Sequence, residues 1–155
     1  MFNTLTLFAL SAFALAGVHA ESHTIHFDNR CGSGTPVLEQ NFVTLNPGGG
    51  DYTSNGPLEA AIAYLQTGSC GYEGTGCTLL ETTLKNGYVS STDVSLISPH
   101  AYSVATGFGY YNGCDGTGND CTSSDCSGAF HVTGDYSAQV QCTADDVDLT
   151  ITFCD

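Results

Sequence analysis

Cationic side chains are almost absent from this sequence. Arg30 and Lys85 are the only two among 155 residues, against 16 carboxylates and a net charge of −14. Binding to a nucleic-acid backbone or insertion at an anionic membrane surface needs basic patches, so both are excluded as functions. Long helical periodicity and internal repeats are missing too, which argues against bundles and solenoids. No Asn-x-Ser/Thr triplet occurs, so N-glycosylation is not expected, although Ser and Thr are plentiful. No serine sits in a Gly-x-Ser-x-Gly elbow, and nothing supports a Ser-His-Asp triad.

Only one long apolar run is present, and it lies at the start. Leu5 to Val18 are nearly all apolar, and Val18-His19-Ala20 fits the small-x-small pattern of a signal-peptidase site. Residues 1–20 are therefore expected to be a signal peptide, too short and wrongly flanked for a membrane span. Residues 21–155 are expected to form one secreted, extracellular domain and to act as a monomer, with no membrane insertion and no cofactor. All eight cysteines fall inside that stretch, an even number that suggests disulfide staples rather than nucleophiles or metal ligands.

What is present is β-strand patterning broken by Gly, Asn, Pro and Ser. Val147-Asp148-Leu149-Thr150-Ile151-Thr152-Phe153 alternates apolar and polar residues without a break and ends at Cys154. That period of two marks a half-buried strand. Thr24-Ile25-His26-Phe27-Asp28-Asn29 is a second such strand and runs into Cys31. The two are expected to lie near each other in one sheet, with Cys31 bridged to Cys154. Closing so long a loop contributes ~4–5 kcal/mol in the chain-entropy treatment.

Further strands are expected at 37–45 with a break near Asn41, at 51–54, at 78–84, at 92–97, at 101–106 and at 136–142. Residues 60–66 carry an alanine run that favours helix, but strand suits the short spacing better. Cys70 and Cys77 bracket a glycine-rich hairpin and are placed to pair locally. Lys85-Asn86-Gly87 is a hairpin cue. Residues 107–127 read as loop. Asp115-Gly116-Thr117-Gly118-Asn119-Asp120 lacks the twelfth-position glutamate of a calcium loop, because Cys126 stands there. The fold class is all-β, a sandwich or barrel.

In order along the chain, Asn29-Arg30-Cys31, Leu45-Asn46-Pro47-Gly48-Gly49, Thr78-Leu79-Leu80-Glu81-Thr82-Thr83-Leu84-Lys85-Asn86-Gly87, Asp93-Val94-Ser95-Leu96-Ile97, Cys126-Ser127-Gly128-Ala129-Phe130 and Thr150-Ile151-Thr152-Phe153-Cys154 resemble the thaumatin-like proteins in a small version. Fungal secreted glycopeptide-type chains of this size are more similar still. The resemblance implies a thaumatin-like β-sandwich with a short disulfide-stapled loop region over residues 21–155. From the 105 pairings open to eight cysteines, it selects Cys31–Cys154, Cys70–Cys77, Cys114–Cys142 and Cys121–Cys126.

The resemblance also points to an acidic cleft. Glu81 falls on the family glutamate and Asp93 on its first aspartate, whereas Ser98 and Gly128 replace two further acids and the family arginine has no counterpart. It implies a protein that binds cell-wall glycans, β-glucan above all, or meets an extracellular host protein. A weak β-1,3-glucanase or antifungal protein using Glu81 and Asp93 as its carboxyl pair is the alternative, and a stapled structural protein without small ligand is a third. Glycoside hydrolysis needs two carboxyls about 5–5.5 Å apart for retention or roughly 6.5–9.5 Å apart for inversion. Tyr110 and Tyr111, beside Phe108, are candidates for stacking on a sugar, unless alternate members face the core. If Glu21 becomes the free N-terminus, its amine, two amides and the His23 imidazole form a square-planar set suited to Cu(II) or Ni(II). His100 and His131 lie in turns and are expected to be solvated.

Overall fold

In the computed structural model, residues 20–155 are described; the expected signal peptide lies outside the described residues except for Ala20. Alternation decides the first sheet. In β1 (His23–Asn29), His23 and Ile25 are buried and Phe27 half-buried; in β12 (Asp148–Phe153), Leu149, Ile151 and Phe153 are fully enclosed. The two strands run parallel, with Ile25 opposite Leu149 and Asn29 opposite Phe153. β4 (Tyr52–Ser54) flanks β1, while β8 (Thr106–Tyr111) and β9 (Gly118–Cys121) extend the far side of β12.

The second sheet has the order β10 (Ala129–Phe130), β7 (Ser90–Ser95), β6 (Leu79–Leu84), β5 (Leu58–Gln66), β2 (Thr35–Gln40) and β3 (Val43–Thr44), with β11 (Val140–Cys142) also on β7. Its inner face carries Leu38, Ala61, Ala63, Leu65, Leu80, Leu84 and Val94. These pack on Ile25, Phe108, Leu149, Ile151 and Phe153 of the first sheet, and each large side chain so enclosed contributes ~1.5–3 kcal/mol.

Helix propensity loses to packing in β5. Ala61 and Ala63 are fully buried on the inner face, so strand lets them join the core. A register shift between Leu58 and Ala61, with Ala60 at φ 51°, bulges the strand at its start. The turn after β3 is built on buried Asn46, whose Oδ1 accepts from Leu38 N (2.7 Å) and whose Nδ2 donates to Pro36 O and Gly50 O (3.3 Å each).

Four disulfides close the chain: Cys31–Cys154, Cys70–Cys77, Cys114–Cys142 and Cys121–Cys126. Four expectations need correction. The 70–77 segment holds a 3₁₀ turn, Tyr72–Gly74, rather than a hairpin. Strand begins at Thr106 instead of ending there, so the expected loop 107–127 holds most of β8 and all of β9, and the expected strand 136–142 is confined to β11. Gly107 and Gly109 disguise β8, because glycine weakens strand signals. At Gly107 the missing side chain makes room for Asp120, since a Cβ there would fall 1.9 Å from Asp120 Oδ1. Residues 101–105, expected as strand, instead tie down β6, with Ala101 N on Cys77 O and Ser103 N on the Thr78 hydroxyl.

Candidate functional site

The outer face of the second sheet carries a row of side chains fixed by register. Asp93 stands opposite Glu81, Glu81 opposite Ile62, Ile62 opposite Glu39, and Glu39 opposite Thr44. The row crosses five strands, and four spacings of about 4.8 Å put its ends roughly 19 Å apart. Gln139 continues it past Asp93, one residue before the Val140–Thr92 pair.

Glu81 is exposed, whereas Asp93 is only 6 % exposed. Asp93 Oδ2 is buried with no hydrogen-bond partner. Burial first, and the charge of Glu81 second, push the Asp93 carboxyl from its ordinary 3.8 up to about 7, while the Gln139 side chain pulls it down. Below about pH 7, then, the Asp93 carboxyl keeps a proton that it can donate. Ala60, Glu81, Thr82, Thr83, Ser91 and Asp93 line an open depression of about 190 Å³. That is smaller than the roughly 300–1,000 Å³ that encloses a drug-sized ligand. A larger hollow of about 440 Å³ lies at Gly87, Tyr88, Val89 and Thr143, but brings no carboxylate among its lining residues.

Glu81 and Asp93 are brought together; Tyr110 and Tyr111 do not join them. Tyr110 faces the core at 3 % exposure, with its hydroxyl 3.0 Å from Thr92 Oγ1 and 3.0 Å from Val140 O. Tyr111 stands opposite Asp148 on the outer face of the first sheet, the other side of the sandwich. The aromatic platform expected at these two residues is therefore not assembled, because successive strand residues point to opposite faces.

His23 is also engaged elsewhere. It is fully buried, with Nδ1 2.7 Å from Val147 O and Nε2 3.2 Å from Glu21 Oε1. The Ser22 amide donates to Asp146 Oδ1 at 3.1 Å. The ring nitrogen and an amide that a square-planar metal would require are both spent on the fold, and no group of three or more metal-ligating side chains occurs among the described residues. His100 Nδ1 lies 3.2 Å from Gly74 O and His131 Nε2 2.8 Å from Cys126 O, so each fastens a loop.

Sequence reasoning missed the extension of the acid pair into a row through Ile62 and Glu39, which only the register of β5 and β2 creates. It also missed the exposed aromatics. Phe42 and Tyr72 are 72 % and 70 % exposed, with rings 7° from parallel and centroids 6.3 Å apart.

No family model matches the chain, and no curated protein does. Among solved structures, a thaumatin-like xylanase inhibitor superimposes with a TM-score of 0.56 over 86 % of this chain and 99 % of the other. The fold is thaumatin-like. Sequence identity to that inhibitor is 20 %, so the likeness speaks for architecture and leaves the chemistry of the thaumatin-like sandwich to its own residues. No helix of the described residues is long and apolar enough to cross a membrane.

Proposed function

We propose that this thaumatin-like protein is secreted and binds cell-wall glycan, β-glucan in the first instance, across the trough centred on Glu81 and Asp93. The observation that carries this is the buried, unpartnered Oδ2 of Asp93 beside the exposed carboxylate of Glu81. Protonated Asp93 is an unused donor and ionised Glu81 an acceptor, a pairing matched by sugar hydroxyls, which donate and accept. An open row crossing five strands suits a polymer laid over a surface better than an enclosed small molecule. Four disulfides support an extracellular setting.

Weak β-1,3-glucan hydrolysis by the same pair is the alternative. Directly opposed strand residues hold their Cβ atoms about 4.5–5.5 Å apart, close enough for a retaining pair. Against it, the depression is open to water, so the pair would not be shielded from solvent. The name of the xylanase-inhibiting neighbour also suggests a glycan hydrolase as a protein partner.

Retention on insoluble β-1,3-glucan, with reducing-end release measured in parallel, separates these readings. Binding without hydrolysis is expected, weakened by Glu81→Gln and kept by Asp93→Asn, whose amide still donates. Sugar release abolished by Asp93→Asn would establish the glucanase instead, and no retention at any pH between 4 and 7 would remove both.

A further inference from the structure

At the β3 end of the same sheet, outside the Glu81–Asp93 depression, the stacked pair Phe42–Tyr72 is presented on two left-handed turns. Pairing of Gln40 with Val43 leaves Asn41 and Phe42 as the two residues of the β2–β3 turn, at φ 51° and 67°. Glycine is the usual occupant of the second position, so a phenylalanine that is 72 % exposed there gains nothing for the fold. Tyr72 is followed by Glu73 at φ 52°, inside the loop stapled by Cys70–Cys77. Val43, 58 % exposed, widens the apolar surface.

The charged groups around these rings are carboxylates. Loss of solvent first, and then the charges of Glu73 and Glu39, raise the Tyr72 hydroxyl. Glu39 Oε1 lies 3.3 Å from the Tyr64 hydroxyl and 3.4 Å from Thr44 Oγ1. Neither cation of the chain serves this face: Arg30 is bound to Asp28 and Asp155, and Lys85 to Glu59. Ionised carboxylates only accept hydrogen bonds, so the natural occupant is a group that only donates and is flat enough to lie on aromatic rings. Guanidinium meets both demands, being planar, weakly hydrated and able to fork onto a carboxylate, whereas ammonium is compact and strongly hydrated.

We infer that Phe42, Tyr72, Glu39 and Glu73 form a docking site for an arginine side chain on a basic protein segment, drawn in by the −14 net charge. The site lies outside the Glu81–Asp93 depression, shares only Glu39 with the far end of the proposed glucan row, and does not depend on that reading.

The test is titration of the full secreted protein with a short arginine-containing peptide, a lysine peptide of equal length and charge, and a soluble β-1,3-glucan oligomer, following the Phe42 and Tyr72 ring resonances. At 0.15 M salt the arginine peptide is expected to bind about tenfold tighter than the lysine peptide. Phe42→Gly is expected to lose that preference while its unfolding midpoint stays level or rises, since glycine is at ease at φ 67°. Tyr72→Ala loses it too. Equal binding of the two peptides, wild-type affinity in Phe42→Gly, or movement of these rings by the glucan oligomer instead would overturn the assignment.

Discussion

The hydroxyl of Tyr110 on β8 donates across the core to Oγ1 of Thr92 on β7, 3.0 Å away, so a polar contact crosses from one sheet to the other. Thr92 in turn lies 2.7 Å from the hydroxyl of Thr82, and Val140 O also stands 3.0 Å from the Tyr110 hydroxyl, whose single proton the two acceptors share. Tyr110→Phe is expected to cost about 1–2 kcal/mol of stability by urea unfolding, because acceptors are left unpaired in the interior. Glucan retention should not change. A variant that unfolds like wild type but no longer binds would return Tyr110 to the ligand surface.

The four disulfides differ in what they close. Cys31–Cys154 spans a separation of 123 residues and Cys70–Cys77 one of 7. Chain entropy assigns ~5 kcal/mol to the first and ~2.4 kcal/mol to the second. Replacing each pair by serines should lower stability in that order in guanidinium titrations. Equal losses would mean that local packing, rather than loop length, sets the contribution.

Asp93 gives the molecule a pH signature. Its folded value, about 7, lies above the ordinary 3.8, so between those limits the folded state holds a proton that the unfolded state has released. Stability therefore falls as pH rises from about 4 to 7 and levels off above. Set against Asp93→Asn, which lacks the titration, wild type should lose on the order of 3–4 kcal/mol across that window. Parallel stability profiles for the two proteins between pH 4 and 8 would contradict the buried-acid assignment. Glucan affinity should weaken above pH 7 in wild type alone, as the donor is lost.

Two glycines of the β8–β9 hairpin make opposite predictions. A Cβ at Gly118 would stand 2.0 Å from the carbonyl oxygen of Phe108, a backbone atom that cannot swing away, whereas one at Gly109 meets only Thr117 O at 4.0 Å. Gly118→Ala is expected to cost more than about 2 kcal/mol and Gly109→Ala less than about 1 kcal/mol. Thermal unfolding of the two variants checks the contrast, and similar midpoints would show that β9 is free to shift.

The outer strands of the chain were legible because Ile25, Leu149, Ile151 and Phe153 alternate cleanly with polar neighbours, and burial on one face enforces that period. β8 was not, since Gly107 and Gly109 occupy positions where a strand signal needs side chains; the meaning of Gly107 lies in the approach of Asp120, a long-range fact. Likewise Glu81 and Asp93 could be nominated from the chain, but the loss of solvent around Asp93 depends on Gln139 and the neighbouring strands. Tyr110 and Tyr111 look alike in one dimension and differ only once the pleat assigns them opposite faces. His23 followed the same rule: a spacing that suits a metal says nothing of Val147 and Asp146, which lie at the other end of the chain and claim the ring and the adjoining amide.

The bond between Cys31 and Cys154 also fixes how the molecule carries tension. A pull between residues 20 and 155 passes along β1, crosses the sulfurs and leaves through the last residue, so residues 32–153 lie off the line of force. β1 is already near the ~3.3–3.6 Å per residue that a chain can span, so little slack is left to pay out. Stretched between residues 20 and 155, the oxidised chain is a short tether in which the covalent path through β1 and the sulfurs carries the load.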